Sequence, residues 1–224
     1  VYEKSGNIYI KKSIDDSLLE IIDVTSNQVT GSGTNVITIN PTKDLDNFTQ
    51  YYVQIDASAY NDNSGNSFPG IYDSSTLNFT TIDSISPTLL SSIPSDDQAA
   101  VAINSNIELT FSEAVNTESG SIYIKKSSDD SLVESIDVNS TQVTGSGTNV
   151  ITIDPTNDFE STTQYYLQID STAFDDPSSN SFAGINDKTS ISFTTADVVS
   201  PTLSSSNPVD NATKVAHDNN IELT

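Results

Sequence analysis

The side chains of this sequence that could do chemistry are mostly carboxylates and amides, and several are grouped in polar segments between apolar runs. One such group is Asp175, Asp176, Asn180 and Asp187. Calcium takes six to eight oxygen ligands from carboxylates, amides and backbone carbonyls, so this segment predicts a candidate calcium site. The alternative is that Asp and Asn stabilise turns here without any ion. Their counterparts 114 positions earlier are Asn61, Asp62, Asn66 and Asp73.

A second candidate calcium site lies where Thr-Thr-Ile-Asp and Thr-Thr-Ala-Asp precede proline-containing segments. Asp83 and Asp197 end these two motifs, and other acidic residues follow each of them. Close carboxylates repel one another, and a divalent ion would relieve that repulsion and stiffen a junction. The alternative is a solvated acidic surface that keeps a long, exposed molecule soluble.

Catalytic chemistry has little support in the composition. The chain has no Cys and a single histidine, His217, so thiol catalysis and most zinc sites are excluded. A serine hydrolase would need a nucleophile, a base and an orienting group together, and neither a Gly-x-Ser-x-Gly motif nor a second histidine occurs. We therefore predict that the chain is not an enzyme.

The charge excludes another class of function. Asp and Glu number 31 against 8 Lys and Arg, which gives a formal net charge of −23. All the basic residues are lysines, so the surface repels phosphate backbones and lacks the bidentate arginine contacts that read bases. Nucleic acid is not an expected partner. No segment approaches the roughly 20 apolar residues that span a bilayer, so no membrane span is expected either.

The chain is an internal tandem repeat with a period of 114 residues. The segment Gly6–Val24 returns as Gly120–Val138, and Gln28–Ile39 returns as Gln142–Ile153. Across the two aligned copies, 68 of 110 positions are identical, about 60%, which identifies a repeat architecture. Proline and small polar residues mark the boundaries. They predict the rear part of one repeat at 1–83, a complete repeat at 84–197, and the front strands of a following repeat at 198–224.

Apolar residues alternate with polar ones throughout the complete repeat, which is typical of half-buried strands. Seven or eight strands are predicted, and no segment carries an apolar stripe at helical spacing. Strands at this density over about 110 residues indicate an all-β fold, an antiparallel two-sheet sandwich of Greek-key type. The predicted strands are Leu89–Pro94, Ile107–Glu113, Ser121–Ser127, Leu132–Val138, Gln142–Gly145, Val150–Asp154, Gln164–Asp170 and Ser190–Thr195.

One motif makes the fold more specific. Leu45, Thr49, Tyr51, Val53 and Ile55 have a spacing that resembles the L-x-x-x-T-x-Y-x-V-x-I pattern of immunoglobulin-like and fibronectin type III domains. Tyr165 is the matching tyrosine of the second copy, and the resemblance implies that both tyrosines form the tyrosine corner. The wider set of Ser-Pro-Thr, IELTFSEAV, TQYY and closing SFTT motifs resembles the tandem bacterial Ig-like domains of large surface proteins. Such modules serve as spacers, adhesive heads and polymer links.

The resemblance implies a structural module of an extracellular or cell-surface bacterial protein, forming part of a stalk, fibre or filament. The alternative is a calcium-dependent adhesion module that binds a glycan or another surface ligand. The expected partners are neighbouring copies of the same repeat. Residues 198–224 correspond to strands that the part-domain at 1–83 does not contain, so one chain could complete the next head to tail by strand complementation. The alternative is that these limits are an arbitrary window of a longer array.

Overall fold

The alternating apolar pattern folds as predicted into an all-β chain. The computed structural model describes residues 1–224 and contains no helix. The chain divides into two compact units, one formed by 1–86 with 176–180, the other by 87–175 with 181–224. The predicted all-β fold class is confirmed, with antiparallel sheets in both units.

The first unit contains eight strands. Its main sheet has four antiparallel strands in the order β3-β2-β6-β8, while β4 pairs with β5 and β1 pairs with β7. The strands are β1 (Tyr2–Glu3), β2 (Asn7–Lys12), β3 (Leu18–Asp23), β4 (Val29–Thr30), β5 (Thr38–Ile39), β6 (Gln50–Ile55), β7 (Tyr60–Asn61) and β8 (Asn78–Thr80).

The second unit contains a complete two-sheet sandwich and a short hairpin. One sheet has the order β10-β18-β16-β12-β13, and the other has the order β14-β15-β11-β17, with β9 also paired to β11. The strands are β9 (Leu89–Ile93), β10 (Gln98–Val101), β11 (Ile107–Thr117), β12 (Ser121–Lys126), β13 (Leu132–Asp137), β14 (Val143–Thr144), β15 (Thr148–Ile153), β16 (Gln164–Ile169), β17 (Phe174–Asp175), β18 (Ser192–Thr195), β19 (Ser206–Asn207) and β20 (Glu222–Leu223).

The long strand β11 organises the core of the complete sandwich. Its alternating residues Ile107, Leu109 and Phe111 are fully buried, and the strand pairs with β15 on one side and β9 on the other. The ring of Phe111 lies 5.4 Å from that of Phe174 and 5.2 Å from that of Phe182. This single strand therefore joins an aliphatic row and an aromatic cluster into one core.

The structure differs from the sequence prediction at two short strands, β10 and β17. Residues 98–101 read Gln-Ala-Ala-Val and do not alternate, and Ala100 has a φ of 56°. Their pairing with β18 is parallel, an exception to the predicted antiparallel pattern. The backbone of Ala196 extends this contact by donating a hydrogen bond to the carbonyl of Val101 at 2.8 Å.

Candidate functional sites

Asp176, one of the predicted calcium ligands, holds the shape of its own loop. Its side chain is only 2% exposed, and one carboxylate oxygen accepts hydrogen bonds from the backbone N–H groups of Ser178 and Asn180, both at 2.8 Å. The other oxygen accepts one from the amide of Asn180, also at 2.8 Å. Two of the four predicted ligands in this loop are thus in direct contact, with the amide nitrogen of Asn180 facing the carboxylate.

The first repeat reproduces this arrangement in an exposed loop. The carboxylate of Asp62 accepts hydrogen bonds from the backbone of Ser64 at 2.9 Å and of Asn66 at 2.8 Å. The amide of Asn66 donates a third at 2.7 Å. These donors, the Asn66 amide first, lower the pKa of Asp62.

Asp187 and Asp73, also predicted as ligands, cap a separate turn in each repeat. Asp187 accepts hydrogen bonds from the backbone and hydroxyl groups of both Thr189 and Ser190, at 2.7–2.9 Å. These donors, led by the Ser190 hydroxyl, lower the pKa of Asp187 to about 2. Asp73 makes the same set of contacts with Ser75 and Thr76, whose donors also lower its pKa. Asp175 lies in β17 instead, opposite Asn116 of β11.

The two junction aspartates also accept hydrogen bonds from the chain. Asp83 accepts one from the Asn47 amide at 2.7 Å and one from the Ile85 backbone at 3.1 Å. Asp197 accepts one from the Val199 backbone at 2.9 Å. Within the first compact unit, ligand oxygens of Asp83 and Asp176 lie within 4.8 Å of one another. That spacing brings one residue from each predicted calcium group together.

The two corner tyrosines make the same contact in both repeats. The hydroxyl of Tyr51 accepts a hydrogen bond from the backbone N–H of Asp46 at 2.9 Å, and that of Tyr165 accepts one from Glu160 at 2.8 Å. Both side chains are buried. Each tyrosine therefore fixes the loop that precedes β6 or β16.

Comparison of the sequence with known protein families identifies one family. The family model of the bacterial Ig-like domain matches residues 5–81 and 83–195. The chain belongs to the bacterial Ig-like domain family. A search of the curated proteins finds no match. Bacterial Ig-like domains are typically non-enzymatic and are common in surface proteins, and none of the elements here is a helix that could cross a membrane.

A second pair of tyrosines in this Ig-like chain lies where the alternation does not predict burial. Tyr52 and Tyr166 follow the corner tyrosines directly in the chain, and both are nonetheless buried. Their hydroxyls donate to Asp16 at 2.9 Å and to Asp130 at 3.1 Å. Lys188 covers the second ring, with its Nζ 5.8 Å from the ring centroid, and forms an ion pair with Asp130. Long side chains on this face thus remove the tyrosines from solvent.

The first Ig-like repeat has two apolar cavities in its open core. The larger, about 550 Å³, is lined by residues that include Ile37, Ile39, Tyr60 and Phe68. The smaller, about 290 Å³, lies among residues that include Ile8, Ile39 and Phe79. In the second repeat, the counterparts of these residues pack around Ile107, Leu109 and Phe111 in one closed core. Residues 1–83 include no counterpart of that strand segment.

Proposed function

We propose that this chain is a load-bearing spacer segment of a bacterial surface protein, part of a stalk or filament. The observation that carries the proposal is the pairing of β10 with β18, which connects the beginning and the end of the complete repeat. Gln98 aligns with Phe193 and Val101 with Thr195 in a parallel register. Neither catalysis nor ligand recognition is needed for such a role.

The direction of this pairing determines how the repeat responds to tension. The chain enters the repeat through β9, which pairs with β11, continues into β10 and leaves the repeat after β18. Because the two strands are parallel, pulling the ends apart slides one strand past the other and loads their hydrogen bonds together. The Ala196 to Val101 bond at 2.8 Å lies in the same contact. Antiparallel terminal strands pulled from one end would instead open one bond at a time.

The same stabilising hydrogen bonds occur in both repeats, which supports the same proposal. Glu20 accepts hydrogen bonds from Gln28 and Thr42 at 2.7–2.9 Å, and Glu134 accepts the matching bonds from Gln142 and Thr156 at 2.6–3.1 Å. The corner tyrosines and loop aspartates are duplicated in the same way. A spacer needs equivalent units, whereas a specialised binding head would diverge at its loops. The net charge of −23 opposes lateral association of neighbouring stalks.

Stretching single 224-residue chains by their ends tests this function. We expect one discrete unfolding event from the complete repeat, with a contour gain of about 350–400 Å for about 110 residues at 3.3–3.6 Å each. Ala196→Pro removes the donor to Val101 and should lower the unfolding force. Ile136→Val is the matched control, because Ile136 is buried in β13 at the opposite edge of the same sheet. It should lower the free energy of unfolding by about 0.5–1.5 kcal/mol and leave the unfolding force nearly unchanged. A gradual extension without a discrete event would contradict the spacer function.

Calcium-dependent adhesion is the second candidate, and the approach of Asp83 and Asp176 within 4.8 Å is the observation that favours it. An adhesion module of this kind should bind calcium in calorimetry and retain surface glycans only with calcium present. Asp176→Asn should then weaken calcium binding, whereas Asp197→Asn should not. Absence of calorimetric binding at millimolar calcium, a concentration typical for extracellular modules, would exclude this candidate.

A further inference from the structure

We propose that a surface pocket of the second repeat binds a phenol ring, the group that ends a tyrosine side chain. The pocket, called here the phenol pocket, lies beside the end of β16 and has a volume of about 280 Å³. The residues that line it include Tyr123, Gln168, Asp170, Ser171, Ile185 and Asn186. The inference goes beyond the spacer function, because a stalk segment needs no such site.

The first repeat shows how a phenol ring fits this place, because it carries one there. Tyr72 is the counterpart of Asn186. Its hydroxyl accepts a hydrogen bond from the backbone N–H of Ala57 at 2.7 Å. Its ring lies so close to Gly70 that a Cβ added to this glycine would come within 2.8 Å of a ring carbon. The first repeat thus covers the equivalent place with a tyrosine from its own loop.

The backbone around the phenol pocket is held in the same way in both repeats. Ile169 and Ile185 exchange two backbone hydrogen bonds at 2.8 and 2.9 Å, and their counterparts in the first repeat exchange the same pair. The side-chain amide of Gln168 donates to the carbonyl of Asn186 at 2.8 Å, and its counterpart donates to that of Tyr72 at 2.5 Å. The pocket is therefore formed before a ligand binds, which reduces the cost of association.

With Asn186 in place of the tyrosine, the second repeat has a backbone donor without an acceptor. The N–H of Ser171 corresponds to that of Ala57, and no group of the chain accepts a hydrogen bond from it. A Cβ added to the neighbouring Gly184 would come within 2.8 Å of the Ser171 nitrogen, so the glycine keeps the approach open. A phenol hydroxyl placed there would accept the hydrogen bond that Tyr72 accepts in the first repeat.

The walls of the phenol pocket favour a neutral ring over a charged one. Tyr123 and Ile185 line it with aromatic and aliphatic surface. The carboxylate of Asp170 lines it as well, and accepts hydrogen bonds from the Ser121 backbone at 2.9 Å and the Tyr123 hydroxyl at 3.2 Å. This carboxylate and the net charge of −23 repel a phosphate or sulfate group on the ring. The expected ligand is therefore an uncharged phenol.

NMR of the 224-residue chain tests the inference with para-cresol, which is the tyrosine side chain alone. We expect the Ser171 amide signal to shift saturably, with a dissociation constant of about 1 mM for so small a ligand. The Ala57 amide is the matched control, and it should not shift because the Tyr72 hydroxyl already accepts its hydrogen bond. Toluene lacks the hydroxyl, so it should bind about two- to tenfold more weakly.

Exchange of the two loop residues tests the site in both directions. Asn186→Tyr supplies the ring from the loop of the second repeat, so it should abolish para-cresol binding and slow hydrogen exchange at Ser171. Tyr72→Asn should open the same place in the first repeat, so that the Ala57 amide shifts with an affinity similar to that of Ser171. Both substituted side chains are exposed, so neither change disturbs a buried core.

A further probe separates two sources of a phenol ring. N-acetyltyrosinamide represents the tyrosine of a partner protein, because its ring is attached to a peptide backbone. Binding at least as tight as that of para-cresol would assign the phenol pocket to a partner chain. Binding of para-cresol alone would assign it to a free phenolic compound.

Three results would overturn the inference. The first is a Ser171 amide that does not shift at about ten times the expected dissociation constant. The second is an unchanged titration in the Asn186→Tyr variant, which would place the ligand elsewhere. The third is tighter binding of a methyl glucoside than of para-cresol, which would make the pocket a sugar site. None of these results alters the unfolding force of the second repeat, so failure here is distinguishable from failure of the spacer function.

Discussion

The two repeats share most of their sequence but differ in how completely they bury it. Phe193 is fully buried against Phe159 and Tyr165 in the second repeat. Its counterpart Phe79 is 37% exposed in the first repeat, although it still stacks on Tyr51 at 6.0 Å. The same residue type on the equivalent strand thus belongs to a closed core in one repeat and borders a cavity in the other.

The difference teaches that a strand's apolar face is buried only when the opposing strand is present. In the second repeat, β9 and the first half of β11 supply that face from the other sheet, and β10 extends the sheet that contains β18. The sheet β3-β2-β6-β8 forms without them in the first repeat, because its hairpin and ladder bonds lie within residues 7–80.

The largest expected effect that tests this comparison comes from matched phenylalanine truncations. Phe193→Ala should cost about 3–5 kcal/mol of stability in the second repeat, as for a large aromatic removed from a closed core. Phe79→Ala should cost less than about half as much, since less of its surface leaves water on folding. Hydrogen exchange with mass spectrometry in denaturant would resolve the two repeats. Equal costs would mean that the first core is as closed as the second.

Substitutions at the tyrosine corners should cost less stability than the phenylalanine truncations, and the cost should be equal in the two repeats. Tyr51→Phe and Tyr165→Phe each remove the hydroxyl that accepts a backbone hydrogen bond at 2.8–2.9 Å. Each should cost about 1 kcal/mol in its own repeat, because the corner is complete in both. Hydrogen exchange with mass spectrometry, analysed separately for each repeat, would again measure the loss of stability. A clearly smaller loss in the first repeat would show that the open core also loosens the corner.

The smallest expected effect is an acid response of the capped turns. The folded pKa of Asp187 is about 2, below the ordinary value of about 3.9, so its ionised form stabilises the turn fully above about pH 4. That contribution should disappear as the pH falls toward 2. The Ser75 and Thr76 donors also lower the pKa of Asp73, so the turn in the first repeat should respond to acid in the same direction.

Carboxyl-carbon NMR titration would follow both aspartates in one sample. Asp187→Asn and Asp73→Asn are the controls, and each should remove the acid response of its own turn only. Titration of both groups near pH 4 would contradict the hydrogen-bonded caps seen in the structure.

Most of the sandwich could be predicted from local pattern, whereas the parallel contact between β10 and β18 could not. Alternation placed β12, β13 and β16 within one residue of their observed bounds, because each strand has one face toward the core, but it ended β11 four residues too early. Strand β10 was not predicted, since Gln98–Val101 does not alternate and pairs with residues 94 and 95 positions away. The candidate sites show the same limit. Asp, Asn and Ser residues predict turns, but which donors reach Asp176 or Asp187 depends on the folded loop.

The sequence by itself determined the 114-residue period, the all-β fold class, the acidic surface and the positions of most turns. These properties depend on composition and on spacing along the chain, and both are visible without coordinates. Tertiary structure alone decided the parallel direction of the β10–β18 contact, the burial of Tyr52 and Tyr166, and the cavities beside Tyr60 and Phe79. The physical reason is that burial and strand direction depend on partners distant in sequence, which a local periodicity of two does not specify.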